Sequence, residues 1–479
     1  MANRYLQDNF APVRDELTAT DLVVTGEIPS HLDGRYLRIG PNPLADPGQD
    51  YHWFLGDGMV HGVRIGDGRA QWYRNRWVRS GAVADALGEP RRGTPGPNDF
   101  AANTNVIEHA GRTLALVEAG SPPYELTHDL DTVGPCDFDG TLRGGYTAHP
   151  HEDPDTGELH AISYSWTRGN RLDYSVLDTD GRVRRTVDVE VTGSPMVHDF
   201  ALTEHYVVVY DLPVTFDVAR VTRTMPRAAR LPARIALSRV IGRNPLPEPV
   251  IAGIARRGSS SASGPAVFPY SWNPDYPARI GLLPREGDGR EVRWFEIEPC
   301  YVFHTLNAFE DGDDVVIDVV RHERMFATDL NGPNEGDPTL ARFTLDTSSG
   351  KVREDRFDER GQEFPRYDER RTGRRHRYGY TVGFADATLG DTVLKHDVAA
   401  GHTTERRLGA GREASEFCFV PSAADSAEDD GVLMGYVHDR ASGLSDLVML
   451  DAGTLEDVAR VHLPGRVPVG FHGNWAPTD

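Results

Sequence analysis

The sequence predicts an all-β protein, built from four-stranded sheets that repeat radially as the blades of a β-propeller. Short alternating apolar runs, separated by turns rich in Gly, Asp and Pro, extend along the 479 residues, and helical periodicity is scarce before residue 218. A strand–turn–strand pattern also recurs, at spacings too irregular for a short-period solenoid. Radially repeated sheets with variable loops fit this pattern better, and a pair of β-sandwiches is the alternative architecture.

The first third of the chain consists of strands and hairpins in succession. Residues 144–166 are predicted as a hairpin in which one strand stops at His149, a polar turn covers Asp153 to Gly157, and a second strand runs from Leu159 to Trp166. Earlier strands and hairpins are predicted at 34–43, 59–80 and 103–120.

A weak internal repeat supports the modular architecture. Each copy has alternating apolar residues, an Asp at or just after the strand end, a polar turn and a returning strand. The four copies lie at 174–183, 342–352, 392–404 and 447–458.

One segment, 218–257, does not show the alternating pattern that predicts β-strands. It carries nine arginines against a single acid, Glu248, with apolar residues between them, and five prolines that predict short helical turns rather than one long helix. One interpretation is a solvated helical excursion with ion pairs to an acidic body. The other is a patch that meets anionic lipid headgroups while its apolar side enters the acyl region.

Composition restricts the classes of partner. Acidic residues outnumber basic ones by 73 to 51, which gives a formal charge of −22, so nucleic acid is not expected to bind. The three cysteines Cys136, Cys300 and Cys418 form no CxxC pair, so we expect neither a disulfide framework nor a thiolate zinc site, and we expect a cytoplasmic protein. No signal-peptide pattern and no run of about 18 apolar residues is present.

Four histidines each end a short apolar run: His149, His198, His304 and His472. Their separations are too large for a local metal-binding motif, and the chain holds 18 histidines in all. The pattern alone therefore does not select these four.

A resemblance to a known family does select them. The chain closely resembles, in order and from about residue 20 onward, the carotenoid cleavage oxygenases, a family that also includes plant dioxygenases of abscisic acid synthesis, the retinoid isomerase of the visual cycle and bacterial lignostilbene dioxygenases. The matching stretches are GRYLRIGPNP, HWFLGDGMVHGVRI, ANTNVI, LALVEAGSPPYEL, DTVGPCDFDG, YTAHPHEDPDTGELH, VHDFALTEHYVVV, FHTLNAFEDGD, EFPRYD, SEFCFVP and FHGNW. The resemblance implies one domain over 1–479, a seven-bladed β-propeller with loops and short helices capping the metal-bearing axis.

The resemblance also implies a metal centre. The four histidines match the family's ligands for one Fe²⁺ per chain, with O₂ as co-substrate; imidazoles alone would equally accept Zn, Cu or Ni. Thr104 matches a threonine beside an open coordination position. The glutamates that match those orienting the ligand rings are Glu118, Glu363 and Glu416.

The stilbene-cleaving branch of the family places a lysine before the first of these glutamates and a tyrosine upstream, to deprotonate a phenol. Here Val117 holds the first position, and 81–93 contains no tyrosine. An apolar polyene needs no such base, only an apolar passage. The candidate lining residues are Val117, Met196, Phe303, Phe364 and Phe471.

These features predict an Fe(II) dioxygenase that cleaves a conjugated C=C bond of a carotenoid or apocarotenoid to aldehyde or ketone products. It is expected in the cytoplasm, with 218–257 as a peripheral membrane contact, and without an obligate protein partner. One alternative is a stilbene or phenylpropenoid dioxygenase, of the lignostilbene or isoeugenol type. Another, from a different class, is a non-catalytic propeller that carries an apolar ligand.

Overall fold

The computed structural model describes residues 3–93, 99, 102–247, 267–333, 335–384 and 390–478. Within these residues, seven sheets follow one another along the chain as blades, and an eighth sheet is a two-stranded hairpin. The predicted seven-bladed β-propeller is therefore confirmed, and the alternative of paired β-sandwiches is wrong.

The blades are numbered from the N-terminus, and their strands in chain order. The strands of blades 1 to 3 are, for blade 1, β1 Thr18–Ala19, β3 Gly34–Pro41, β4 Gly58–Gly66, β5 Arg69–Trp77 and β33 Gly473–Pro477; for blade 2, β6 Asn105–His109, β7 Arg112–Leu116, β8 Tyr124–Leu126 and β9 Thr132–Pro135; and for blade 3, β10 His151–Glu152, β11 Leu159–Tyr164, β12 Arg171–Leu177 and β13 Val183–Glu190.

The strands of blades 4 and 5 are, for blade 4, β14 Ala201–Leu202, β15 Tyr206–Asp211, β18 Arg279–Pro284 and β19 Arg293–Glu296; and for blade 5, β20 Tyr301–Asp311, β21 Asp314–His322, β22 Thr339–Asp346 and β23 Val352–Asp358. Those of blades 6 and 7 are, for blade 6, β24 Gln362–Arg366, β25 Tyr378–Gly383, β26 Thr392–Asp397 and β27 His402–Arg407; and for blade 7, β2 Val24–Gly26, β28 Arg412–Ala414, β29 Cys418–Pro421, β30 Gly431–Asp439, β31 Leu444–Asp451 and β32 Asp457–His462. The other elements are the hairpin β16 Val214–Phe216 and β17 Tyr270–Trp272, the helices α1 Gly81–Leu87, α2 Val218–Thr222 and α3 Arg227–Ser238, and 3₁₀ turns at Arg4–Leu6, Asp8–Phe10, Trp53–Leu55, Trp166–Arg168 and Glu369–Arg371.

Strands from both ends of the sequence close the ring. In blade 1 the strand order is β1-β5-β4-β3-β33, so the last strand pairs antiparallel with β3, while β2 pairs with β32 at the outer edge of blade 7. All eight residues of β3 are buried, as expected for a strand covered on both faces by neighbouring blades. One apolar cluster, which includes Tyr36 and Tyr436 with their rings 5.0 Å apart, joins blade 1 to blade 7.

The internal repeat is confirmed as a structural unit. Each copy spans the turn between the last two strands of its blade, and the four copies lie in blades 3, 5, 6 and 7. In every copy the Asp side chain accepts hydrogen bonds from backbone N–H groups of the turn that follows, an Asx-turn geometry. For example, Asp346 Oδ1 accepts from Ser348 and Ser349 at 2.8 and 2.9 Å. The other three aspartates are Asp178, Asp397 and Asp451.

The hairpins predicted at 59–80 and 103–120 are confirmed, but the one at 144–166 is partly wrong. Its first strand does not stop at His149; it is the two-residue β10, which begins at His151. Pro150 has no N–H to donate to a ladder, and a Cβ at Gly145 would lie 2.3 Å from the Gly120 Cα, so this backbone approaches another loop instead of a strand. The second strand ends at Tyr164, before a 3₁₀ turn.

The segment 218–257 emerges between β16 and β17 and is described up to residue 247; the rest of it lies outside the described residues. The expectation that prolines restrict it to short turns is wrong for α3, which has 12 residues and contains Pro232. None of its residues is buried, so water can satisfy the carbonyl that the proline leaves unpaired. None of the helices described has the length and apolar character needed to cross a bilayer.

Candidate metal centre

Every blade of the propeller contributes a predicted site residue to the axis. In most blades this residue lies at or just before the start of the innermost strand, as Glu416 does just before β29. His304 instead lies inside β20, at a point where the pairing register shifts. From blade 2 to blade 7 and back to blade 1, the residues are Thr104, His149, His198, His304, Glu363, Glu416 and His472.

The four histidines converge. One ring nitrogen of each lies within 4.8 Å of those of the other three, and all four residues are buried or nearly so. His149 Nε2 is 3.0 Å from His198 Nε2, and His304 Nε2 is 3.1 Å from His472 Nε2. Histidines from four different blades therefore point the same nitrogen at one position.

Three of the four rings are oriented by carboxylates. The Nδ1 atoms of His198, His304 and His472 hydrogen-bond to carboxylate oxygens at 2.7, 2.5 and 3.0 Å. The partners, in the same order, are Glu118, Glu363 and Glu416.

These hydrogen bonds determine the tautomer. An ionised carboxylate only accepts hydrogen bonds, so the proton of a neutral ring must lie on Nδ1, which leaves a lone pair on Nε2. Two such lone pairs face each other across 3.1 Å between His304 and His472, an arrangement that a cation between them would stabilise. Two nitrogens bound at right angles to one ion, at the roughly 2.1 Å typical of a zinc–imidazole bond, lie about 3.0 Å apart. The donor set thus fits a divalent metal.

Glu363 and Glu416 are held in their ionised form. Burial disfavours the charge on Glu416, but Arg366 and His472 outweigh it and lower the pKa of this carboxyl to about 2. Burial likewise opposes ionisation of Glu363, yet His304 and His322 lower its pKa below the usual range. Negative charge is therefore maintained around a set of ligands that has none of its own.

Two of the imidazoles are held in their neutral form. Burial, reinforced by the three neighbouring rings, lowers the pKa of His149 well below its ordinary value. Burial also lowers the pKa of His472, to about 4, even though Glu416 opposes that shift. Neutral rings are the form that can bind a metal.

Thr104 lies at the same end of the axis. Its carbonyl oxygen accepts a hydrogen bond from the backbone N–H of His472 at 3.1 Å, and its hydroxyl donates to Asn103 Oδ1 at 2.9 Å. Its role beside an open coordination position stays a prediction.

The predicted lining residues divide into two groups. Phe303 lies 5.3 Å from the His198 ring, and Phe364 lies 5.8 and 5.7 Å from those of His304 and His472, measured between ring centroids. Phe471 instead packs on Trp53 and Phe54. Val117 and Met196 are buried within apolar clusters of blades 1–2 and 3–5 respectively.

Asp199, which the sequence did not single out, connects three of the histidine-bearing segments. Its Oδ1 accepts from His151 Nε2 at 2.8 Å, two residues after His149, and its Oδ2 accepts from the backbone N–H of Thr305 at 2.7 Å, one residue after His304. Asp199 itself follows His198 and is 3% exposed. Only its place directly after a candidate ligand could have drawn attention to it.

Phe54 was also missed, although the stretch HWFLGDG was among the family matches. Its ring lies within 6.0 Å of those of Phe268, Phe303, Phe326 and Phe471, which makes it the centre of an aromatic cluster beside the metal centre. Unlike these four, it keeps a partly exposed surface.

Replacing Asp199 by asparagine should lower metal affinity as well as stability. The amide would place an N–H₂ against a backbone N–H donor, so we expect a loss of about 1–3 kcal/mol in the free energy of unfolding of the metal-free protein. Metal titration by equilibrium dialysis measures the affinity. Asp211→Asn is the matched control, because Asp211 is as buried and hydrogen-bonds Tyr276 and Arg279 within the same blade. Equal loss of metal in both variants would mean that Asp199 stabilises the fold in general and does not position the metal ligands.

Comparison with known proteins places this geometry in a family. Residues 10–477 match the family described as retinal pigment epithelial membrane protein. The chain is 54% identical to a carotenoid cleavage oxygenase of Mycobacterium tuberculosis, over 99% of this chain and 98% of that protein.

Solved structures agree. Cobalt-substituted Synechocystis apocarotenoid oxygenase matches with a TM-score of 0.79 at 26% identity, covering 98% of this chain and 97% of that one. Pseudomonas brassicacearum lignostilbene dioxygenase matches with a TM-score of 0.81 at 26% identity over the full length of both chains. The seven-bladed fold, the four converging histidines and these matches together show that the chain belongs to the carotenoid cleavage oxygenase family.

Proposed function

We propose that this protein is a non-haem Fe(II) dioxygenase that cleaves a conjugated C=C bond of a carotenoid or apocarotenoid. Both atoms of O₂ enter the products, one in each of the two new carbonyl groups, so the reaction needs no external reductant. The observation that carries the proposal is the convergence of four imidazole nitrogens, three of them backed by carboxylates, in a chain 54% identical to a carotenoid cleavage oxygenase.

The residues that would hold the iron are His149, His198, His304 and His472, and iron(II) would supply the redox centre at which O₂ is activated. The imidazoles add no charge, so the three glutamates provide the negative charge that a dication requires nearby. Each glutamate also keeps its histidine in the tautomer whose Nε2 faces the ion.

The surroundings of the site suit a polyene. Phe303 and Phe364 lie against the histidine rings, and apolar aromatic surface binds a conjugated hydrocarbon without requiring a proton to move. Val117, buried beside Glu118, cannot act as the base that a phenolic substrate requires. This favours a carotenoid or apocarotenoid over a stilbene or phenylpropenoid, despite the structural match to a lignostilbene dioxygenase.

Incubating the iron-loaded protein with apocarotenals and, separately, with isoeugenol and resveratrol tests the substrate class. We expect O₂ uptake and two carbonyl products from the apocarotenals only, detected by chromatography with mass spectrometry. Cleavage of the phenols alone would support the stilbene-type alternative. No O₂ uptake with any member of a broad polyene panel would support the carrier.

Substitutions around His304 test the metal assignment. We expect about one iron per chain in the wild type, and loss of iron or of activity in His304→Ala, because three imidazoles leave the site incomplete. Glu363→Gln should lose only about 10–100-fold in affinity or activity, since the amide oxygen can still accept from His304. Its N–H₂ would then face His322, whose ring can change tautomer to accept.

His438→Ala is the control for these variants. This histidine is also buried, and its ring hydrogen-bonds to a backbone carbonyl of blade 7, so iron content measured by plasma emission should be unchanged. O₂-dependent turnover by the zinc-loaded protein would contradict the redox mechanism.

We further propose that the segment 218–257 contacts a membrane in which the polyene is dissolved, in a cytoplasmic protein. On α3, Leu231 and Ile235 lie one turn apart and are 66% and 46% exposed. Within the described part of the chain, none of the segment's arginines forms an ion pair with a carboxylate, which argues against the interpretation of ion pairs to an acidic body. Ile241, by contrast, is buried, so it is not part of the exposed surface.

Replacing Leu231 and Ile235 by serine should weaken binding to anionic liposomes and lower turnover of carotenoid embedded in them. Binding would combine insertion of these apolar side chains with electrostatic attraction of roughly 1 kcal/mol per arginine near the anionic lipid surface. Salt at about 1 M would screen the electrostatic attraction. Turnover of a detergent-dispersed short apocarotenal should stay unchanged. The control is Val23→Ser, at a position that is 67% exposed on the far edge of blade 7. An equal loss on both substrates would mean that α3 supports the fold instead.

A further inference from the structure

A buried histidine near the metal centre has a hydrogen-bond donor without a partner. His52 is 2% exposed, and its Nδ1 accepts the backbone N–H of Phe54 at 3.1 Å. Burial and the nearby Arg220 keep the pKa of this ring well below its ordinary value, so the ring is neutral and its single proton lies on Nε2. Within the described residues, this Nε2 makes no hydrogen bond.

A second side chain with an unpartnered group contacts the same aromatic ring. The hydroxyl of Tyr270, a residue 2% exposed, also makes no hydrogen bond within the part of the chain that the structure describes. The two side chains flank one aromatic ring: His52 stacks on Phe268 at 4.0 Å between centroids, and Tyr270 lies 5.7 Å from the same ring. Two polar groups are thus unsatisfied within one apolar layer.

This layer lies between the segment 218–257 and the metal centre. On one side, Arg220 of α2 donates to the Phe268 carbonyl at 2.6 Å. On the other, the His52 ring is 5.1 Å from Phe54, which is 6.0 Å from Phe303, which in turn is 5.3 Å from the ring of His198. A polyene that enters near α2 and reaches the histidines would pass this layer.

Buried polar groups in native proteins nearly always have hydrogen-bond partners, so we expect a ligand oxygen to be the partner of these two groups. The surrounding rings would bind the hydrocarbon part of a polyene, while Nε2–H donates to an oxygen and the Tyr270 hydroxyl donates or accepts. A pure hydrocarbon would leave both groups unpaired in the complex. A buried site of this kind discriminates most strongly against a substrate that lacks the matching oxygen.

We propose that His52 and Tyr270 bind a hydroxyl or carbonyl oxygen of the substrate, so that the enzyme selects oxygenated polyenes over hydrocarbon polyenes of the same length. This inference rests on the proposed function and narrows it. The oxygen lies on the part of the substrate directed toward α2, away from the bond that is cleaved.

A matched pair of carotenoids tests the proposal, one a pure hydrocarbon and the other identical except for a hydroxyl on a terminal ring. We expect the wild-type protein to have a kcat/KM at least about tenfold higher for the hydroxylated compound. His52→Asn should bring the ratio close to one, because the amide oxygen can still accept the Phe54 N–H while the Nε2–H donor is lost. Tyr270→Phe removes only a hydroxyl and should reduce the ratio in part.

Tyr436→Phe is the control, since this hydroxyl is also buried and has no hydrogen-bond partner among the described residues, but lies between blades 1 and 7. Its ratio should equal that of the wild type, and all variants should retain wild-type iron content. A wild-type ratio within twofold of one, or a ratio preserved in both variants, would overturn the inference while leaving polyene cleavage intact. Failure to cleave either compound would instead contradict the proposed function.

Discussion

The hydrogen bonds from three imidazole Nδ1 atoms to three carboxylates are the interaction on which the metal centre depends. Each one fixes a ring's orientation and its tautomer together, and so decides that a lone pair, not a proton, faces the axis. Without them the four rings could satisfy one another by N–H···N hydrogen bonds at the observed separations of about 3 Å. The carboxylates thus turn a cluster of histidines into a cation site, and they keep it electrically balanced around a dication.

The propeller makes this arrangement possible because its blades deliver side chains to one axis from positions far apart in the sequence. Each blade needs to contribute only one residue at the start of its inner edge, and the outer strands can vary. Precision then depends on links between blades. Asp199 provides such a link, since a single carboxylate joins the segments that carry His149, His198 and His304.

Local signals in the sequence were sufficient for the hairpins, because an Asp that caps its own turn, as Asp346 does, acts within a few residues. The metal-centre residues came from the family resemblance, since no spacing rule connects His149 to His472. Three features needed coordinates: the start of β10 after His149, where a loop-to-loop backbone contact overrides an apparent strand; the continuation of α3 through Pro232 on an exposed surface; and the burial of Ile241. The lack of a hydrogen-bond partner for His52 Nε2 within the described residues likewise follows from tertiary packing alone.

The position of His472 immediately before β33 has a consequence for the integrity of the ring. That strand closes blade 1, so one candidate ligand belongs to the seam, while the other three belong to blades 3, 4 and 5 across the axis. A bound ion would therefore stabilise the ring of blades, because it would link the closing strand to the blades on the opposite side of the axis. Loss of the ion would weaken the seam first. If β33 then detached, the edge of β3, otherwise fully covered, would be open to pairing with another chain, so loss of metal and self-association would be coupled.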